Sequence, residues 1–238
     1  MGQLRLLKWT AAIVGVVCGA SASSALASDD YFGNGDGHHG AKTVSAEEVV
    51  NAYSRLATDV AVDDTSLEVV DGTKFAAGDL VLLWQVNGYA TPASGDQNDI
   101  DLEAIDVGRF ELARVDSVVA NVLRLRDTMT QAFPAASSQV VFVPEYTDLG
   151  VEAGGEVKAA AWDPVAGEGG IVAIFASGTV TVDGSVSANG AGFLGGTDLG
   201  SPGSNGCTGL DEPSPGGAEK GEGIAGLELL SGDPPGGT

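Results

Sequence analysis

The chain has 238 residues, with 33 acidic side chains against 11 basic ones and a formal net charge of −22. Acidity on this scale excludes nucleic acid and anionic membrane surfaces as partners, because both recruit basic patches. It suits an exported protein kept soluble by self-repulsion, with a generally solvated acidic surface.

The chain opens MGQLRLLKWTAAIVGVVCGASASSALAS. Arg5 and Lys8 precede an apolar run from Trp9 to Ala20, and the small residues Ala25 and Ala27 come after it. These are the three parts of an export signal, so residues 1–27 are expected to be removed before Ser28. The run is too short to span a bilayer, which takes about 20 residues, so no transmembrane span is expected after signal removal. Cys18 does not mark a lipoprotein, since Val16 and Val17 stand where a small residue is needed. Losing Arg5 and Lys8 takes the charge from −22 to −24. One cysteine, Cys207, then remains, which means a partner elsewhere, a free thiol, or an incomplete chain. The sequence stops at Thr238 inside a glycine-rich tract, and a longer natural product is expected.

Residues 28–58 read as a polar glycine-rich leader with a short helix or strand. His38 and His39 are adjacent, so sharing a metal would take a tight turn and ligands from elsewhere. GNGDG resembles the start of a calcium loop but lacks its closing Glu. Ser45-x-x-Glu48 is a capping box followed by Val49, Tyr53 and Leu56, which favours a helix. The β-branched Val49–Val50 pair keeps a strand open.

From 59 to 146 strand-sized apolar runs repeat: 67–70, 80–86, 110–118, 122–126 and 140–143. They predict a small β-barrel or sandwich-like module. FAAGDLVLLWQV gives an anchoring Phe75, a Gly78–Asp79 turn and a nearly continuous apolar strand, which reads as central. FELARVDSVVANVLRLRD predicts a hairpin at Ala120–Asn121, with Arg124 and Arg126 facing outward. Between the second and third strands lies an acidic loop. Its Asp96, Asn98, Asp99 and Asp101 are candidate calcium ligands, being hard oxygen donors at high density. The alternative is a solvated loop, because Ile100 stands where an EF-hand-type loop needs glycine. Calcium is the one cofactor the sequence leaves open.

Residues 147–196 predict the first rungs of a parallel β-solenoid. VEAGGEVKA and VDGSVSA share a V-x-(x)-G-x-V-x-A form that places Val157 and Val186 29 residues apart. Residues 197–238, rich in Gly, Pro, Ser and Asp, predict a disordered or truncated tail, unless IAGLELL docks as one further strand.

Taken in order, GNGDGHHGAKTV, FAAGDLVLLWQV, GRFELARVDSV, VPEYTDLGVEAGGEVKAAAW and GGIVAIFASGTVTVDGSVSANGAGFLGG resemble a module at the start of exported glycine-rich surface proteins of gliding bacteria, some named adventurous gliding motility proteins. The resemblance covers residues 33–196. It implies a cell-surface or extracellular protein with a glycine-rich remainder after the module, and it brings no catalytic residues.

The expected function is a non-enzymatic exported protein with a structural, adhesive or motility-associated role, whose partners are envelope or matrix components, including polysaccharide. A calcium-dependent glycan-binding module is the alternative, with Tyr89 exposed near the acidic loop and Trp84 in the core. A β-helix polysaccharide-cleaving enzyme is the third reading. It needs two carboxylates facing one groove, or a base near calcium, and past Val151 the only basic residues are Lys158 and Lys220.

Overall fold

A computed structural model describes residues 33–89, 101, 106–195 and 222–224. Two short strands come first, β1 (Lys42–Val44) and β2 (Glu47–Glu48). Next come β3 (Tyr53–Arg55), β4 (Ser66–Glu68), β5 (Leu80–Gln85), β6 (Phe110–Val119), β7 (Val122–Leu125) and β8 (Ser138–Val143). The chain then makes β9 (Glu145–Tyr146), β10 (Leu149–Val151), β11 (Glu156–Lys158), β12 (Phe175–Ala176), β13 (Val180–Val182) and β14 (Ser185–Ser187). Among the described residues no helix is long and apolar enough to cross a membrane.

Strands β3 to β8 form one antiparallel sheet in the order β3-β8-β5-β6-β7-β4. It curls until its two edges meet. Leu56 bridges Val69, the Ala57 N–H donates to the Glu68 carbonyl (2.7 Å), and the Val70 N–H donates to the Arg55 carbonyl (3.0 Å). Both edges are thereby covered, which removes the exposed ladder that invites association. Val81, Leu83, Val115, Leu123 and Val140 fill the interior with Phe133. The predicted strands and the Ala120–Asn121 hairpin are present, and Ala120 takes a positive φ of 53° at the turn.

The remaining strands pair in parallel. β1, β10 and β13 form one ladder, β2, β11 and β14 a second, and β9 and β12 a third. Val44, Val151 and Val182 stand in register, and so do Glu48, Val157 and Val186. Successive segments therefore lie as tiers, each laid on the one before. The corners require glycine because neighbouring backbones crowd them. A Cβ at Gly155 would stand 2.3 Å from the Val44 carbonyl oxygen, and one at Gly184 would stand 2.1 Å from the Gly155 oxygen.

Two expectations for the start of the chain change. Residues 45–56 hold no helix: β2 pairs with Glu156–Val157, and that pairing overrides the capping box. Residues 42–48 are not a leader set apart from the later rungs, because they form the first tier. The curled sheet, entered at Tyr53 and left at Val143, interrupts the chain between the first tier and the second.

The tiers pack on the outside of the curled sheet. Leu80, Leu82, Val141 and Val143 face Ala160, Ile171, Ala173 and Phe175, so β5 and β8 are buried on both faces. Double burial is why LVLLWQ and QVVFV read as continuous apolar runs instead of alternating ones. Polar side chains stitch the contact. The buried Gln139 amide donates to the Gly169 carbonyl (3.0 Å) and accepts the Gly169 N–H (2.9 Å). Asn51 donates to the carbonyls of Phe142 (2.9 Å) and Ala173 (2.6 Å).

The strongest tie is ionic. Arg114 on β6 forks onto Glu145 on β9, with Nη2 2.9 Å from Oε1 and Nη1 on Oε2, and the residues are 2% and 0% exposed. Truncating one member leaves a buried charge uncompensated, so Arg114→Ala is expected to lower stability by about 3–5 kcal/mol. Urea unfolding will read this. Arg114→Lys should recover only part of the loss, because an ammonium cannot make the planar two-bonded fork.

Candidate functional site

Among the described residues, chemistry gathers at a polar junction around Glu145 and at an apolar cleft on the other side of the contact. At the junction the chain turns through Gly37 and Gly40, both at positive φ, and presents His38 and His39 with ring centroids 3.8 Å apart. This is the tight turn that adjacent histidines need. Side chains from elsewhere join them: Asp79 before β5, Glu145 on β9, and Asp36 in the same turn. Asp36, His38 and Glu145 form one potential metal-ligating group, and His38, His39 and Asp79 a second.

The hydrogen bonds show what the junction holds. His38 Nδ1 lies 2.5 Å from Asp36 Oδ1, and a carboxylate only accepts, so that nitrogen carries a proton. Arg114 occupies Glu145 Oε2 and sits 3.5 Å from Asp36 Oδ2, placing a cation where this group would receive a metal. The Glu145 N–H donates to His39 Nδ1 (3.0 Å), so the neutral ring keeps its proton on Nε2, the nitrogen 3.9 Å from Asp79 Oδ1. A metal bound there would have to displace that proton or break the Glu145 bond. The junction is thus built for protons and a guanidinium. Added zinc is expected to leave the melting temperature unchanged, and a zinc-dependent rise lost in His38→Ala would contradict this reading of the proton positions.

Burial holds the His39 imidazole below its ordinary value, with repulsion from His38 adding to it. Burial also raises the Asp79 carboxyl, against the Ala76 N–H bond and the nearby cations. At Asp36 burial is outweighed by hydrogen bonds from the His38 backbone and ring, which hold the carboxyl down. A histidine lowered in the folded state binds its proton more readily when unfolded. Its contribution is therefore present above about pH 6.5 and is lost as pH falls below that value. Asp79 works the other way, favouring the folded state toward acid. The melting temperature is expected to fall between pH 7 and pH 5. His39→Gln, which can still accept the Glu145 N–H, should flatten that fall, and thermal scans across the range will measure it.

The cleft lies where the tiers meet the end of β5. Its volume is about 340 Å³. Trp84, stacked on Phe110 with centroids 6.4 Å apart, lies on the curled-sheet side, and Trp162, edge-on to Phe193 at 5.5 Å, on the tier side. Val86, Val107, Ile171 and Ile224 complete the apolar lining. Trp84 is not in the core, as its apolar strand suggests. It is half-buried and faces this cleft, because its side of β5 is the side the tiers only partly cover. Tyr89 is also half-buried, not exposed, with its N–H bonded to the Ile224 carbonyl.

Of the calcium candidates, Asp96, Asn98 and Asp99 lie outside the described residues. Asp101 is described and exposed. Arg114 and Glu145 carry no signal as a pair in the sequence, and the alternation of FELARV places Arg114 on the outward face.

No protein-family model and no curated protein sequence matches the chain. Solved structures that align with it include three phage tailspikes. One, from Acinetobacter baumannii bacteriophage AP22 in complex with A. baumannii capsular saccharide, has 13% identity and a TM-score of 0.32 over 61% of this chain and 22% of that one. A second, from Pseudomonas phage phi297, has 15% identity and a TM-score of 0.30 over 52% and 23%. The Pseudomonas phage LKA1 tailspike has 11% and 0.28 over 51% and 27%. The matched region spans about a quarter of these proteins, and overlap at this level transfers neither topology nor ligand.

Proposed function

We infer that this chain is the rooted start of an exported, non-enzymatic surface protein, in which the curled sheet anchors the first coils of a parallel β-solenoid with a structural or adhesive role. The observation carrying this reading is the condition of the last tier among the described residues. Val151 and Val157 in the second tier are 1% and 0% exposed, whereas Val182 and Val186, their register partners above, are 46% and 48% exposed. Inward valines left open in this way are what further coils would bury.

Binding or scaffolding fits the side chains better than catalysis does. The described lining of the cleft contains no carboxylate, and Glu145 is committed to Arg114. The acidic balance and the signal-like start of the chain suit the outer surface, and the resemblance to surface proteins of gliding bacteria points to adhesion or motility there.

The test is made on cells that produce the protein. Protease added outside intact cells should remove it, and deleting its gene should weaken adhesion or surface movement. Retention inside the cell, or release of new reducing ends or unsaturated products from acidic polysaccharides by the purified protein, would refute the reading. The calcium-dependent alternative requires a melting temperature that drops with chelator, whereas the scaffold is expected to melt at the same temperature with and without it.

A further inference from the structure

The cleft combines an apolar lining with a negative charge at its tier side. Apart from the indoles, Gln139 is the one polar side chain in the described lining, and its amide is used on Gly169. The N–H groups of Gly108, Gly169 and Gly170 are likewise used within the fold, on the Gln85 carbonyl, the Gln139 amide oxygen and the Ala160 carbonyl. A ligand rich in hydroxyl groups would lose water here and find few partners, and unmatched buried polar groups are costly.

The charge belongs to Glu222. Trp162 Nε1 lies 2.8 and 2.9 Å from its two carboxylate oxygens, and the Leu194 N–H donates to Oε2 (3.1 Å). Both donors are neutral, and among the described residues no basic side chain pairs with this carboxylate. A carboxylate on the indole N–H enriches the ring in electron density, which strengthens the pull of the Trp162 face on a cation. Trp84, stacked on Phe110, supplies a second indole from the curled-sheet side. The net charge of −22 favours the same sign of ligand. The volume of about 340 Å³ falls within the range of small-molecule sites, about 300–1,000 Å³.

We propose that the cleft binds a free quaternary ammonium compound, with the methylated nitrogen against Trp84 and Trp162 and with Glu222 supplying the countercharge. A quaternary ammonium is positive yet donates no hydrogen bond, so an apolar lining accepts it without stranding a donor. A primary ammonium brings three donors, for which the lining offers no side-chain carboxylate or free amide. A phosphocholine lipid carries the same head, but its phosphate would face an acidic protein, and this favours the free compound.

The experiment titrates choline into the full chain, followed by calorimetry and tryptophan fluorescence at constant ionic strength. Its uncharged isostere, with carbon in place of nitrogen, is titrated alongside. Choline is expected to quench the emission and to bind about tenfold more tightly than the isostere. Glu222→Gln keeps an acceptor oxygen for Trp162 Nε1 and should weaken choline several-fold while leaving the isostere unchanged. Trp84→Leu keeps apolar bulk without the π face and should likewise weaken choline more than the isostere. Far-UV circular dichroism checks that each variant is folded, and Glu222→Gln carries the test should Trp84→Leu not fold. Equal binding of choline and isostere would overturn the proposal, as would choline binding indifferent to Glu222→Gln, or no binding at all. Binding to phosphatidylcholine vesicles without binding of free choline would assign the site to a lipid surface and overturn it too. None of these outcomes bears on the scaffold reading, which is tested on cells.

Discussion

The buried ion pair between Arg114 and Glu145 is the constraint on which the architecture turns. Its members lie on β6 of the curled sheet and β9 of the tiers, and Glu145 also accepts the Asp36 N–H (3.1 Å) from the turn that leads into the first tier. Three segments far apart in sequence therefore meet on one carboxylate. Removing a guanidinium and a carboxylate from water costs several kcal/mol per ion, and the cost is met only when geometry is good and the remaining lone pairs are used. Both conditions hold here, with a two-bonded fork, a backbone donor on Oε1 and the Gly78 carbonyl on Arg114 Nη1 (3.0 Å). Apolar packing alone would allow the tiers to slide on the sheet. The fork, together with the Gln139 and Asn51 bonds, specifies one register.

That register has consequences across the molecule. With Glu145 fixed, β9 lies beside the His39–Gly40 turn, where the His39 N–H donates to the Glu145 carbonyl (3.0 Å) and the Thr147 N–H to the Gly40 carbonyl (2.9 Å). The chain leaving β9 then falls into place over β1, and the corner glycines Gly155 and Gly184 seat against the tier before. On the far side the same placement leaves a gap between β5 and Trp162, which becomes the aromatic cleft. The polar junction and the cleft are two ends of one contact surface.

Much of the strand content is legible in the sequence because β residues alternate or run continuously according to how many faces they bury. The continuous LVLLWQ run announces a strand covered on both sides, and β5 is indeed central, between β6 and β8. Val157 and Val186 share a V-x-(x)-G-x-V-x-A spacing, and they are register partners. The first tier is not legible in the same way, because KTVSAEE lacks the corner glycine that marks the other two and because the curled sheet separates it from its partners. Its glutamates also satisfy a helix-start pattern, and only pairing with Glu156 and Val157 overrules that local preference. His38 and His39 stand out in the sequence as a pair, but their proton positions depend on Asp36 and on the Glu145 N–H, 106 residues away.

By itself the sequence determined the acidity, the strand periods and the glycine corners, all of which are local properties of composition and spacing. The tertiary structure alone decided that residues 42–48 begin the stack that 149–187 continue, and that Arg114 points into a buried contact instead of into water. It also decided that Trp84 lines a cleft. The physical reason is that alternation assigns a side chain to a face of its strand, and only long-range packing determines what covers that face.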